Sequence, residues 1–196
     1  RKGRMKRAMA FARRNAPELV RDPLTVRFSL GFPLVLLALL AIIQRNIPVS
    51  MFEIDRLAPG VAAFGLTFAA LFSATLIARD RASSLMLRLC ASPMRPGDFI
   101  AGYLAPMLPL CAAQIAVCYA AALAAGLHFD GNAILSMLTL LPAAALYVAI
   151  GLLCGTLLND RQVGGVCGAL LTNVCAWLSG VWFDLSLLGD GFRRVA

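Results

Sequence analysis

Residues 57–78 read Leu-Ala-Pro-Gly-Val-Ala-Ala-Phe-Gly-Leu-Thr-Phe-Ala-Ala-Leu-Phe-Ser-Ala-Thr-Leu-Ile-Ala, without one charged side chain. A bilayer's hydrocarbon core is about 30 Å thick and takes roughly 20 helical residues to cross. Asp55 and Arg56 precede the stretch and Arg79, Asp80 and Arg81 follow it, so charge is confined to its two ends. That reads as a membrane-crossing helix. Working outward, further apolar runs lie at about 26–43, 99–127, 133–158 and 163–182, with Arg27 close enough to an end to snorkel. Two of the runs exceed 20 residues, which predicts tilt or protrusion. Over the 196 residues, 60% are hydrophobic and 14% charged. A soluble domain carries about 25% charged residues. The sequence therefore predicts an all-α integral membrane protein, one transmembrane domain over 1–196 with five spans.

The net charge of +8 is placed unevenly. Seven of the 18 basic residues fall in the first 14 positions, a segment too basic and too weakly apolar for a cleavable signal peptide. A nucleic-acid arm is the weaker reading; a cytoplasmic segment beside the membrane is favoured, and no nucleic-acid partner is expected. If the N-terminus is cytoplasmic, segments 1–27, 79–98 and 159–162 lie inside and hold fourteen Lys/Arg, against four in 44–56, 128–132 and 183–196. The excess of cations in cytoplasmic loops predicts that orientation. Residues 183–196 then form an external segment, half apolar, and the expectation is that a sixth helix is missing from the C-terminus.

Within 1–22, Met5, Met9, Ala12, Ala16 and Leu19 recur at helical spacing, with Ala8 and Val20 on the same side. Arg4, Arg7, Arg14, Glu18 and Arg21 take the opposite face. Such a helix lies in the interface plane with its cations toward lipid phosphates. Phe11 falls off the stripe, and Pro17 is expected to break the segment in two. The alternative is a solvated basic tail. The loop 79–98 is the most polar internal stretch. Ser83 or Ser84 is placed to cap a short helix ending before Ser92-Pro93. On it Ala82, Leu85, Met86 and Leu89 share one face, and Arg81, Ser84 and Arg88 another. It either rests on the membrane surface or docks a cytoplasmic partner.

Reactive chemistry is not legible. The chain has no GxxxxGK[ST] loop, its only lysines are Lys2 and Lys6, and it has no HExxH or GxSxG. The six cysteines show no CxxC spacing and read as small hydrophobes, and His128 is the single histidine, so no metal site is expected. No carboxylate falls within the spans as drawn, which argues against an intramembrane proton relay. Gln114 and Asn173 are the neutral polar points within spans. Both are expected to face protein, either in an interhelical hydrogen bond or on a substrate path. Gly151 and Gly155, like Gly164 and Gly168, are four apart and present small helix-packing faces.

Three stretches together resemble the permease subunits of type-2 ABC exporters. Glu18-Leu19-Val20-Arg21-Asp22-Pro23 is similar to the entry of that family's first helix, and Ala58-Pro59-Gly60 to the start of its second. Arg79-Asp80-Arg81, Leu85, Leu89, Ser92-Pro93-Met94-Arg95-Pro96 and Phe99-Ile100-Ala101-Gly102-Tyr103 resemble its most regular stretch. Gln114 and the exit Leu178-Ser179-Gly180-Val181-Trp182-Phe183 also fit. Asp80 stands where many members carry glutamate, and Asp184 where many carry proline. The resemblance implies six spans in a whole member, an N-terminal elbow helix on the inner leaflet, and a coupling helix at 80–92. It implies a dimer of permease subunits in the inner (plasma) membrane and a separate cytoplasmic ATPase that holds the ATP and Mg, with no cofactor in this chain. Arg81, Ser84, Leu85, Arg88 and Leu89 are then the expected ATPase-docking residues, since a helix in a groove presents anchors at i, i+3, i+4 and i+7. Uncharged spans suit an amphipathic or lipid-like cargo. The competing reading is a channel or scaffold that works without an ATPase.

Overall fold

A computed structural model describes residues 2–46, 54–83, 91, 95–128 and 130–178. It is all-helical: α1 (Lys2–Arg21), α2 (Pro23–Asn46), α3 (Ile54–Ala82), α4 (Pro96–Ala124) and α5 (Gly131–Leu157) are followed by a jointed helix. That last helix comprises α6 (Asp160–Val163), a π-helical segment (Gly164–Leu171) and α7 (Thr172–Leu178). Among the described residues, four stretches are long and apolar enough to cross a membrane: Thr25–Gln44, Leu57–Ala82, Pro96–Ala124 and Gly131–Leu157. They correspond to the first four runs read from the sequence, with shifted ends. The third stops at Ala124 and not at 127 because Gly126, at φ 109°, reverses the chain. There Leu127 N–H donates to the Ala122 carbonyl at 2.9 Å and Gly126 N–H to Leu123 at 3.1 Å, closing the helix end.

The helix starts are equally local in origin. Pro23 and Pro96 occupy first-turn positions, where a missing N–H costs nothing. The Asp22 carboxylate accepts the Thr25 hydroxyl at 3.0 Å, and Asp98 accepts the Arg95 N–H at 3.3 Å. Asp80 and Asp98, expected in the polar loop, instead belong to α3 and α4 and are 5% and 2% exposed. Helix propagation carries both carboxylates inside because each lies on its helix's buried face. On α3 that face runs Leu66, Ala70, Ser73, Ile77, Asp80 at i+3/i+4 intervals.

α3 is the hub of the bundle, and its most extensive contact is with α5. Small residues bring the two backbones together. A Cβ on Gly151 would overlap Ser73 Oγ and the Ala70 carbonyl, and one on Gly155 would overlap Ile77 and the Ala74 carbonyl. The Ser73 hydroxyl donates to Ala70 O at 3.0 Å and lies 3.3 Å from Val148 O across the helix pair. At the far end Arg81 Nη1 donates to the Gly155 carbonyl at 3.0 Å, satisfying one of the last acceptors of α5, where a cation also suits the helix dipole.

Two expectations are corrected in the remaining helices. Pro17 does not break α1, which runs through it; docking along one side of α4 holds the helix continuous. Gly164 and Gly168 do not form a second tight face. Gly164 has open space where a Cβ would go, and Gly168 would make only ordinary contact with Leu71 at 3.5 Å. The reason is the π-helical winding, in which i→i+5 bonds replace i→i+4 and the four-residue spacing no longer aligns. Thr172 Oγ1 donates to the Cys167 carbonyl five residues back, at 3.1 Å, within that segment.

Gly151→Val should force α3 and α5 apart and lower stability by about 1–3 kcal/mol, the usual cost of overpacking. Gly164→Ala, facing open space, should leave it within about 0.5 kcal/mol. Thermal unfolding of the two purified variants in one detergent checks the contrast.

Candidate functional site: a polar latch where α1, α3 and α4 meet

α1 lies against α4, the second most extensive contact of the bundle. Its docking face follows the apolar stripe only in part, since Ala12 of the stripe is buried and Met9 is not. Met9 is 64% exposed, whereas Phe11, Ala12 and Asn15 are buried. Phe11, off the stripe in a helical count, packs edge-on to Tyr103 (centroids 5.1 Å apart, planes at 86°) and against Phe99 at 5.3 Å. Gly102 makes room for it, since a Cβ there would run into the Phe11 ring. Asn15 Nδ2 donates to the Gly102 carbonyl at 3.3 Å. The α4 partners, and not the helix's own apolar period, select which side of α1 is buried.

The same contact closes on Asp80. The Tyr103 hydroxyl donates to Asp80 Oδ2 at 2.7 Å, and Arg14 Nη1 lies 3.2 Å from that oxygen. Arg14 also donates to Asn15 Oδ1 at 2.9 Å and pairs with Glu18 at 3.1 Å. A buried carboxylate is expensive unless paired and hydrogen-bonded, and here it is both. One carboxylate thus ties α1, the end of α3 and the start of α4 into a unit. At the next residue, Arg81 ties the same turn of α3 to the end of α5. Four helices are joined at the point where the chain leaves α3.

Of the docking residues expected from the sequence, Arg81 is at this junction with its side chain engaged on α5, while Ser84, Leu85, Arg88 and Leu89 lie outside the described residues. Gln114 is fully buried; its Nε2 donates to the Ala62 carbonyl of α3 at 3.4 Å, in space left by Gly65, and its Oε1 is buried without a protein partner. Asn173 does not face protein within this chain: it is exposed and donates to Ala169 O at 2.7 Å in its own helix. The structure does not bring Gln114 and Asn173 together. Among the described residues no cluster of His, Cys, Asp and Glu is arranged to hold a metal ion.

The family model described as ABC-2 type transporter matches residues 7–196. The chain belongs to the ABC-2 type transporter family. With four helices able to span a bilayer, it is a multi-pass membrane protein, an ABC transporter permease whose family is not itself catalytic. No curated relative and no solved structure matches the chain. In this permease, the Gly102-Tyr103 pair of the family-like stretch has a physical role. Glycine admits the Phe11 ring and tyrosine binds the carboxylate. Phe11, Arg14 and Asn15 escape a periodicity reading, because the signal for them lies on α4.

Tyr103→Phe removes the hydroxyl donor and leaves Asp80 short of one bond. A hydrogen bond to a charged group contributes about 1.5–3 kcal/mol, so stability should fall by that amount. Tyr103→Phe combined with Asp80→Asn should lose less than the sum of the two single changes, which unfolding of all three variants would measure.

Proposed function

We propose that the chain is the membrane-spanning permease subunit of an ATP-driven ABC exporter, coupled to a separate cytoplasmic ATPase that binds ATP and Mg. The observation that supports this most is the junction at Asp80 and Arg81. It fastens α1, α3, α4 and α5 together at the root of the segment between Ala82 and Pro96, which is where a docked motor would deliver its motion. In this reading the coupling helix, expected at 80–92, follows the end of α3 at Ala82, with Ser84, Leu85, Arg88 and Leu89 toward the ATPase and Arg81 at its root, where its guanidinium also binds α5. α1 is the elbow helix on the cytoplasmic leaflet of the inner (plasma) membrane. The N-terminus is cytoplasmic, residues 163–182 form a fifth span, and 183–196 lie outside.

Two permease subunits, identical or different, line the pathway together. The exposed apolar side chains of the last helix, Leu170, Val174 and Trp177, and the exposed Asn173 amide suit burial against a second subunit better than permanent contact with lipid. Gln114, whose buried Oε1 has no partner among the described residues, is the polar point on the route, reached by cargo when α3 and α4 part. That cargo is amphipathic or lipid-like, since the described spans carry charged residues only near their ends.

Affinity purification of the full-length protein from native membranes should recover a Walker-motif ATPase in stoichiometric amount. Arg88→Glu should reduce that recovery at least about tenfold while leaving insertion and thermal stability unchanged. Arg81→Glu should reduce both recovery and stability, because its guanidinium also binds α5. Recovery of the permease alone under gentle detergent would favour a channel or scaffold.

A further inference from the structure

A crevice of about 670 Å³ opens between the C-terminal half of α1, the start of α2 and the last third of α3. Its mouth and its depth differ in chemistry. Arg14, Glu18, Arg21, Asp22 and Arg79 line the mouth, and Leu71, Phe72 and Leu76 line the depth. Three arginines and two carboxylates stand at the mouth, but Arg14 also pairs with the buried Asp80, so the cationic character there rests on Arg21 and Arg79. Glu18 pairs with Arg14 at 3.1 Å, and Asp22 accepts the Thr25 hydroxyl at 3.0 Å. Arg21 is exposed, and among the described residues Arg79 makes only an outlying contact with Asp160 at 4.0 Å between two exposed side chains, which contributes little. The two guanidiniums are therefore free to turn into the crevice.

The position along the bilayer matches this division. One candidate span begins at Thr25 and the next ends at Ala82, so the mouth lies at the shared end of both, at headgroup level. Leu71, Phe72 and Leu76 lie about one to two turns deeper than Arg79, at acyl-chain level. Beyond them the α2 side continues with the exposed rings of Phe28 and Phe32. A crevice cationic at the interface and apolar beneath it is complementary to a molecule with a phosphate above and hydrocarbon below, and basic pockets between membrane helices bind such headgroups. We propose that this crevice binds one anionic phospholipid from the leaflet in which α1 lies, its phosphodiester held by Arg21 and Arg79 and one acyl chain laid along Leu71, Phe72 and Leu76. The bound lipid would fill the wedge between α1 and the α2–α3 pair and hold the elbow against the bundle beside the Asp80 latch. The site stands on the crevice alone and does not depend on the exporter reading.

The test is native mass spectrometry of the full-length protein released from nanodiscs of phosphatidylglycerol and phosphatidylcholine in equal parts. The wild-type protein should retain one phosphatidylglycerol per chain in preference to phosphatidylcholine. Near a membrane each basic residue contributes about fivefold, so Arg21→Gln with Arg79→Gln should cut that preference roughly thirtyfold. Thr75→Trp, which fills the crevice and keeps both charges, should abolish retention as well, and Arg27→Gln, exposed at the same end of α2 but outside the crevice, should not change it. Equal retention of the two lipids by the wild type, or undiminished preference in the Arg21→Gln/Arg79→Gln variant, would overturn the proposal. Displacement by millimolar inorganic phosphate would overturn it in favour of a simple anion site. Release of the lipid on adding ATP to the assembled transporter would overturn it in favour of cargo.

Discussion

A carboxylate at the end of a membrane helix has to be dealt with, and the way Asp80 is dealt with organises this end of the molecule. At 5% exposure its charge cannot rely on water. It takes a hydroxyl from Tyr103 at 2.7 Å and a guanidinium from Arg14 at 3.2 Å. Those two partners come from different helices, so satisfying one charge fixes the placement of α1 and α4 relative to α3. Replacing the trio by apolar residues could give equal stability, but it would not specify that angle of approach.

The remainder of the bundle is built on contact of small residues. Without a hydrophobic drive between helices in lipid, close backbone approach and a few interhelical hydrogen bonds carry association. The Gly151–Gly155 face against Ala70, Ser73 and Ala74 provides the first, and Ser73 and Gln114 provide the second. The rigid α3–α5 pair and the polar latch meet at consecutive residues, Asp80 and Arg81. Any force applied to the segment after Ala82 therefore reaches α1 through the carboxylate and α5 through the guanidinium. The last helix is different in kind: its π-helical stretch and open glycines give it looser packing on α3, through Cys167, than α5 has.

Much of this was legible in the sequence because the bilayer imposes a simple code. Apolar length located the first four spans, and Gly151 and Gly155 announced a small face that the structure fills with α3. What was not legible depends on partners distant in the chain. Phe11 lies off the apolar stripe of α1, and only Gly102, nearly a hundred residues away, explains its burial. Asp80 and Asp98 read as loop residues because polarity was weighed above helical phase, yet both continue the buried faces of their helices. Asn173 was expected to face protein on the sound ground that an amide avoids lipid, and it does not do so within one chain. Pro17 was read as a break from local propensity, which docking on α4 overrides.

The central claim is that Arg14 and Asp80 act as one unit joining α1 to the bundle. A double-mutant cycle with Arg14→Gln, Asp80→Asn and the pair, read by thermal unfolding of the full-length protein, tests it most directly. The account predicts that the double variant loses less than the sum of the single losses by at least about 1 kcal/mol, as for residues in direct contact. Losses that add to within about 0.5 kcal/mol would contradict it, because independent residues behave that way.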